Sequence, residues 1–169
     1  MDGASERTDE VVASIADALV RRGQTLALVE CSLGGLLGAT LTAQPGASRW
    51  FLASIAPYAA SASKAVLGVT SESLGSDGAV SESAALAYAI AAHRVFGADW
   101  TLAETGLLGP RGAHRSAKPP GLGYFCLFAP DGAYRGRMVQ TGLDDRDANR
   151  QAFCAAALAL IRDGVESRL

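Results

Sequence analysis

At 169 residues, with 49% hydrophobic and 19% charged side chains, the chain has the size and composition of one domain whose core needs neither disulfides nor a structural metal. A formal net charge of −2 and no basic run longer than Arg21-Arg22 leave no electrostatic footprint for nucleic acid or an anionic membrane. No apolar stretch approaches the roughly 18 to 20 residues that span a bilayer.

The three cysteines, Cys31, Cys126 and Cys154, are widely separated. An odd number of them without a signal-peptide pattern points to reduced thiols and a cytoplasmic setting. His93 and His114 have no ligand-type neighbours at metal spacing, so neither a metal nor another cofactor is expected.

Residues 1–8 are polar and read as a loose N-terminus, with the domain proper over 9–169. VVASIADALVRR carries Val11, Val12, Ile15, Ala18 and Leu19 at helical spacing, with Thr8 as N-cap and Gly23 as stop. TLALVE (25–30) is a short apolar run before a glycine-rich turn, the pattern of a buried strand feeding a helix that begins near Gly34 and ends at Pro45-Gly46. RWFLASIAPY (49–58) alternates like a strand that Pro57 ends. A short helix closed by Gly68 and a further helical turn within 70–79 follow.

Ser81 caps the next helix, Glu82 favours its first turn and Gly97 follows its last. DWTLAET (99–105) reads as a strand. The long connection 106–121 is of a kind that usually serves function. Residues 122–140 form a hairpin around Pro130-Asp131-Gly132, and a last helix runs over about 145–162. This order predicts a single three-layer α/β/α domain with a mixed sheet. The apolar hairpin, Trp50 and Phe51 are candidates for a homo-oligomer surface, although Trp50 and Phe51 equally suit the core.

In an open α/β sheet ligands gather beyond the carboxyl ends of strands. Two such ends stand out, Glu30-Cys31-Ser32-Leu33-Gly34-Gly35 and Glu104-Thr105-Gly106. Gly34 and Gly35 would let backbone N–H groups approach an anion, and a thiol at a helix start should have a lowered pKa. Equally, the glycines would serve a tight turn and Cys31 would be a small buried filler.

GQTLALVECSLGGLLGATLTAQPGASRWF, PYAASASKAVLGV, DGAVSESAA, ETGLLGP, KPPGLGYF and DRDANRQAF, in that order, resemble the CinA C-terminal domain family, the nicotinamide mononucleotide deamidases, over residues 9 to 164. The resemblance implies metal-free hydrolysis of a nucleotide carboxamide to the acid and ammonia. In that family the turn reads glutamate, serine, cysteine, threonine, glycine, glycine, with the serine as nucleophile. Cys31 holds the serine position, Ser32 the cysteine position and Leu33 the threonine position.

The family pairs its nucleophile with a tyrosine, matched by Tyr58, and a lysine five residues on. Ser63 falls on the lysine position and Lys64 one residue beyond, rotated by about 100° on a helix. Glu104 replaces a small residue, and so should either face the cleft or pair with an arginine. Arg146 and Arg150 match arginines for which a phosphate contact is implied. Ser48 matches a family serine after Pro-Gly, Thr105 and Gly106 match a substrate-lining strand end, and Glu30, Ser32, Gly34 and Gly35 complete the expected binding set.

The expected function is therefore amide hydrolysis on nicotinamide mononucleotide or a related small amide, with Cys31, Tyr58 and Lys64 as the catalytic set. The rival is an inactive paralogue that binds a nucleotide or a protein partner, since the serine and lysine matches are lost.

Overall fold

A computed structural model describes residues 3–112 and 116–167. Helix α1 (Gly3–Arg22) leads into strand β1 (Leu26–Glu30), helix α2 (Leu36–Thr42) and strand β2 (Phe51–Ile55), with a short 3-10 turn at Ala47–Arg49 before β2. Helices α3 (Ala60–Leu67) and α4 (Glu82–Phe96) precede β3 (Trp100–Leu107), the hairpin of β4 (Leu122–Phe128) and β5 (Tyr134–Gln140), and the final helix α5 (Arg146–Ser167).

Two expectations shift. Helix α1 begins at Gly3, so Thr8 lies within it and does not cap it. Once the stripe from Val12 to Leu19 nucleates the helix against the core, each further turn is added at small cost. Residues 70–79 form turns and bends without a helix, in keeping with Gly75 and Gly78, both at positive φ.

The sheet has five strands in the order β2-β1-β3-β4-β5. β1 pairs in parallel with β2 and β3, whereas β3, β4 and β5 are antiparallel neighbours, so the sheet is mixed as predicted. One apolar cluster joins α1, α2 and α5 to one face, through Ile15, Leu19, Leu28, Leu102, Phe125 and Phe153. A second joins α4 to the other, through Val29, Ala85, Tyr88, Ala89, Ala103 and Cys126. All five residues of β1 are buried because helices cover both of its faces, the setting in which a strand reads as a continuous apolar run. Trp50 is 1% exposed and belongs to the core, so it offers no surface for self-association. Among the described residues no helix is long and apolar enough to cross a membrane.

From β1 the chain passes by α2 to β2 on one side, then by α3 and α4 to β3 on the other. That reversal makes the carboxyl ends of β1 and β3 the switch point where such sheets open a crevice.

Candidate active site

A cleft of about 560 Å³ lies at this switch point. Cys31 and Ser32 come from the turn after β1, and Thr105 to Gly109 from the end of β3 and beyond. The irregular segment before α4 gives a wall that includes Thr70, Ser71 and Val80. Pro57, Tyr58, Ser63, Tyr88 and Arg146 close the rest.

That wall is pinned from outside. Thr105 Oγ1 donates to the Ala79 carbonyl at 2.6 Å, and Lys118 Nζ donates to the carbonyls of Asp77 and Val80. Gly106 is required where β3 meets α5, because a Cβ there would stand 2.4 Å from the Phe153 ring.

The turn between β1 and α2 is organised by two buried carboxylates. Glu30 accepts from the backbone N–H groups of Gly35 (2.9 Å), Leu37 (3.0 Å) and Gly38 (2.8 Å) and from Ser54 Oγ (2.6 Å). It thus satisfies the orphan donors at the start of α2. Glu104, its register neighbour on β3, accepts from the N–H groups of Ser32 and Leu33, each at 2.8 Å, and from Ser32 Oγ at 2.5 Å. Gly34 and Gly35, at φ 67° and 99°, supply the left-handed conformations that fold the turn back over these acids.

This arrangement corrects several expectations. Glu30, Gly34 and Gly35 do not line the cleft, and the Gly35 N–H is committed to Glu30 and so is not offered to a ligand. Glu104 neither faces the cleft nor finds an arginine; its partners are the turn itself. Leu33 turns into the core at 1% exposure.

Ser48 is exposed in the 3-10 turn that leads into β2, before the strand, whereas the cleft lies beyond the strands' carboxyl ends. Lys64 is exposed on α3 and outside the cleft lining, while Ser63 is 2% exposed and lines it, as the rotation between successive helix positions requires. Arg150 sits one turn beyond Arg146 on α5; it does not line the cleft, and its buried Nε has no partner.

Of the expected residues, Cys31, Ser32, Tyr58, Thr105, Gly106 and Arg146 do meet at the cleft. Arg146 donates to the Gly109 carbonyl (3.0 Å) and to the Tyr58 hydroxyl (3.3 Å), and among the described residues its guanidinium has no carboxylate ion pair. A cation with spare donors in the lining of a cleft favours an anionic ligand group.

The Cys31 thiol is half-buried, and its pKa is raised above the ordinary value, first by burial and then by the Glu104 carboxylate. The expected lowering does not occur. Helix α2 begins only at Leu36, and Glu30 already takes the N–H groups of its first turn. Glu104 is pushed up to about 7 by burial, against its three hydrogen bonds, with Glu30 adding to the rise. Tyr88, which sequence reasoning missed, brings a hydroxyl to the cleft from the apolar face of α4, beside Ser63; burial raises its pKa as well. A tyrosine on an otherwise alanine-rich buried stripe was the only signal for it. His93 packs against Phe128 with the rings tilted by 57°, outside the cleft lining, and His114 lies outside the described residues.

Residues 8–165 match the CinA C-terminal domain profile. The chain belongs to the CinA C-terminal domain family. It is 38% identical over 161 residues to a CinA-like protein of Gloeobacter violaceus, covering 95% of this chain and 37% of that protein. It is 39% identical over 167 residues to a CinA-like protein of Anaeromyxobacter dehalogenans, covering 95% and 38%. The chain thus spans little more than a third of the curated relatives it matches.

Among solved structures, the competence/damage inducible protein CihA of Agrobacterium tumefaciens superposes with a TM-score of 0.87 at 28% identity, covering 95% of this chain and 96% of that one. The competence damage-inducible protein A of Klebsiella pneumoniae superposes with a TM-score of 0.88 at 26% identity, covering 96% and 99%. The CinA fold therefore extends over nearly all of this chain.

Proposed function

We propose that this CinA-family domain binds a small anionic amide of nucleotide size, nicotinamide mononucleotide or a relative, and hydrolyses its carboxamide to the carboxylic acid and ammonia. The observation that carries this reading is the presence, in the lining of one cleft of about 560 Å³, of two nucleophile-type side chains, Cys31 and Ser32, together with the Arg146 guanidinium, which has no carboxylate ion pair among the described residues. A ligand whose anionic group rests on Arg146 presents its far end to the turn after β1. Thr105 and Gly106 line the same end, and Tyr58, hydrogen bonded to Arg146, helps fix that guanidinium.

Incubation of the purified protein with nicotinamide mononucleotide should release ammonia and the acid in equal amounts. Arg146→Ala should weaken binding at least tenfold, because a charge-assisted contact is worth about 1.5 to 3 kcal/mol. Ammonia release from neither this nucleotide nor a panel of small phosphorylated amides would contradict the reading.

A second reading, binding without turnover, is favoured by two observations: burial and the Glu104 carboxylate raise the pKa of Cys31, and Lys64 stays outside the cleft lining. Calorimetric binding of the nucleotide with no ammonia released would select it.

A further inference from the structure

We infer that Ser32 is the nucleophile of this cleft and that Glu104 is its base. The inference rests on the amide-hydrolysis reading above and chooses between its two nucleophile-type side chains, moving the reacting atom from the cysteine that the sequence suggested to the next residue.

Its ground is the geometry at the end of β3. Ser32 lines the cleft, and its Oγ donates to Glu104 Oε2 at 2.5 Å. The other carboxylate oxygen, Oε1, is held by two backbone N–H groups, those of Ser32 and Leu33, each at 2.8 Å. One oxygen thus anchors the acid while the second faces a hydroxyl, the nucleophile–base contact that activated serines require. Cys31 has no such partner, its sulfur making no hydrogen bond to a carboxylate, imidazole or amine among the described residues.

The surroundings favour proton uptake by Glu104. The titratable groups that act on it or on its neighbours are Glu30 from β1, Cys31 from the turn and Cys154 from α5, none of them cationic. Tyr88 from α4 acts through Cys31. Complete burial, with no cation among the described residues acting on it, places the acid near neutrality, where a general base is most effective. Ser32 and Glu104 are also two positions at which the sequence departs from the family pattern, and they meet across a separation of 72 residues.

The chemistry balances without any co-reactant other than water. As Ser32 Oγ bonds to the carboxamide carbon, its proton passes to Glu104 Oε2. The C–N bond then breaks, and that proton goes to the departing nitrogen, which leaves as ammonia. Water next gives a proton to Glu104 as its oxygen bonds to the acyl carbon. The C–Oγ bond breaks, and Oγ recovers the proton, releasing the acid.

The test is labelling of the intact protein with a fluorophosphonate, with the adduct located by peptide mass spectrometry. The adduct is expected on Ser32, at a rate that rises with pH through a midpoint near 7. Glu104→Gln, which preserves shape and the acceptor for the turn, should slow labelling by at least about 100-fold and flatten the pH profile. Ser32→Ala should abolish the adduct.

Absence of an adduct on Ser32 in the unaltered protein, an adduct on Cys31 in its place, or an unchanged rate in Glu104→Gln each overturns the assignment. Ammonia assays run alongside separate the two claims. Hydrolysis that survives Ser32→Ala overturns the serine and leaves the amide reading standing. An adduct on Ser32 with no amide turned over keeps the pair and overturns the substrate.

Discussion

Glu30 and Glu104 stand opposite each other on adjacent strands, both sealed from solvent and both tied to the same turn, but they differ in what they hold. Glu30 spends its two oxygens on the N–H groups of Gly35, just before α2, and of Leu37 and Gly38 within it, and on Ser54, all fixed donors of the framework. Glu104 holds two N–H groups with one oxygen and a single side-chain hydroxyl of the cleft with the other. A buried acid whose every lone pair meets a framework donor is structural. One that shares its free side with a cleft hydroxyl has a proton to exchange.

The sharpest way to break this contrast is Glu30→Ala, which leaves the donors of Gly35, Leu37, Gly38 and Ser54 without their acceptor. The donors of Leu37 and Gly38 are the buried ones, and each costs about 1 to 3 kcal/mol when unsatisfied, so a loss of roughly 2 to 6 kcal/mol is expected in urea unfolding. A loss below about 1 kcal/mol would show that α2 does not depend on this cap.

Glu104 should announce itself through pH. Its pKa stands at about 7 in the folded protein against an ordinary 4.5, so between these values the folded state binds more protons than the unfolded. The contribution of this group to stability is greatest below 4.5 and declines as pH rises to about 7, by about 3 kcal/mol in all. Glu104→Gln should remove that decline, leaving a flatter stability curve over the same window. A wild-type curve already flat there would place the acid in a far more solvated setting.

Smallest of all is the effect of Lys64→Ala. An exposed lysine outside the cleft lining should change stability by less than about 0.5 kcal/mol and leave nucleotide binding unaltered. A tenfold loss of binding would bring that ammonium into the cleft.

The framework was legible in the sequence because its signals are local. The run 26–30, the serine before α4, the glycine after it and the Pro-Asp-Gly turn each specify an element from neighbouring residues alone. Misreadings came at margins where local signals are weak, as at the start of α1.

The cleft was legible only in part. Cys31, Ser32, Thr105 and Gly106 were found because they lie at strand ends, whereas Tyr58 and Arg146 were found only through the family resemblance. That Glu104 serves the turn from 72 residues away is a matter of strand register, which no local pattern encodes. The state of the Cys31 thiol depends on burial and on a helix start already claimed by Glu30, so the same sequence pattern that promised an activated sulfur yields a protonated one.

The most direct measurement is a crystal structure of the protein soaked with nicotinamide mononucleotide. The account predicts the phosphate against the Arg146 guanidinium and the carboxamide carbon about 3 to 3.5 Å from Ser32 Oγ, the separation of a near-attack geometry. A nucleotide bound outside the cleft, or lying in it with the carboxamide turned away from the turn after β1, would contradict it.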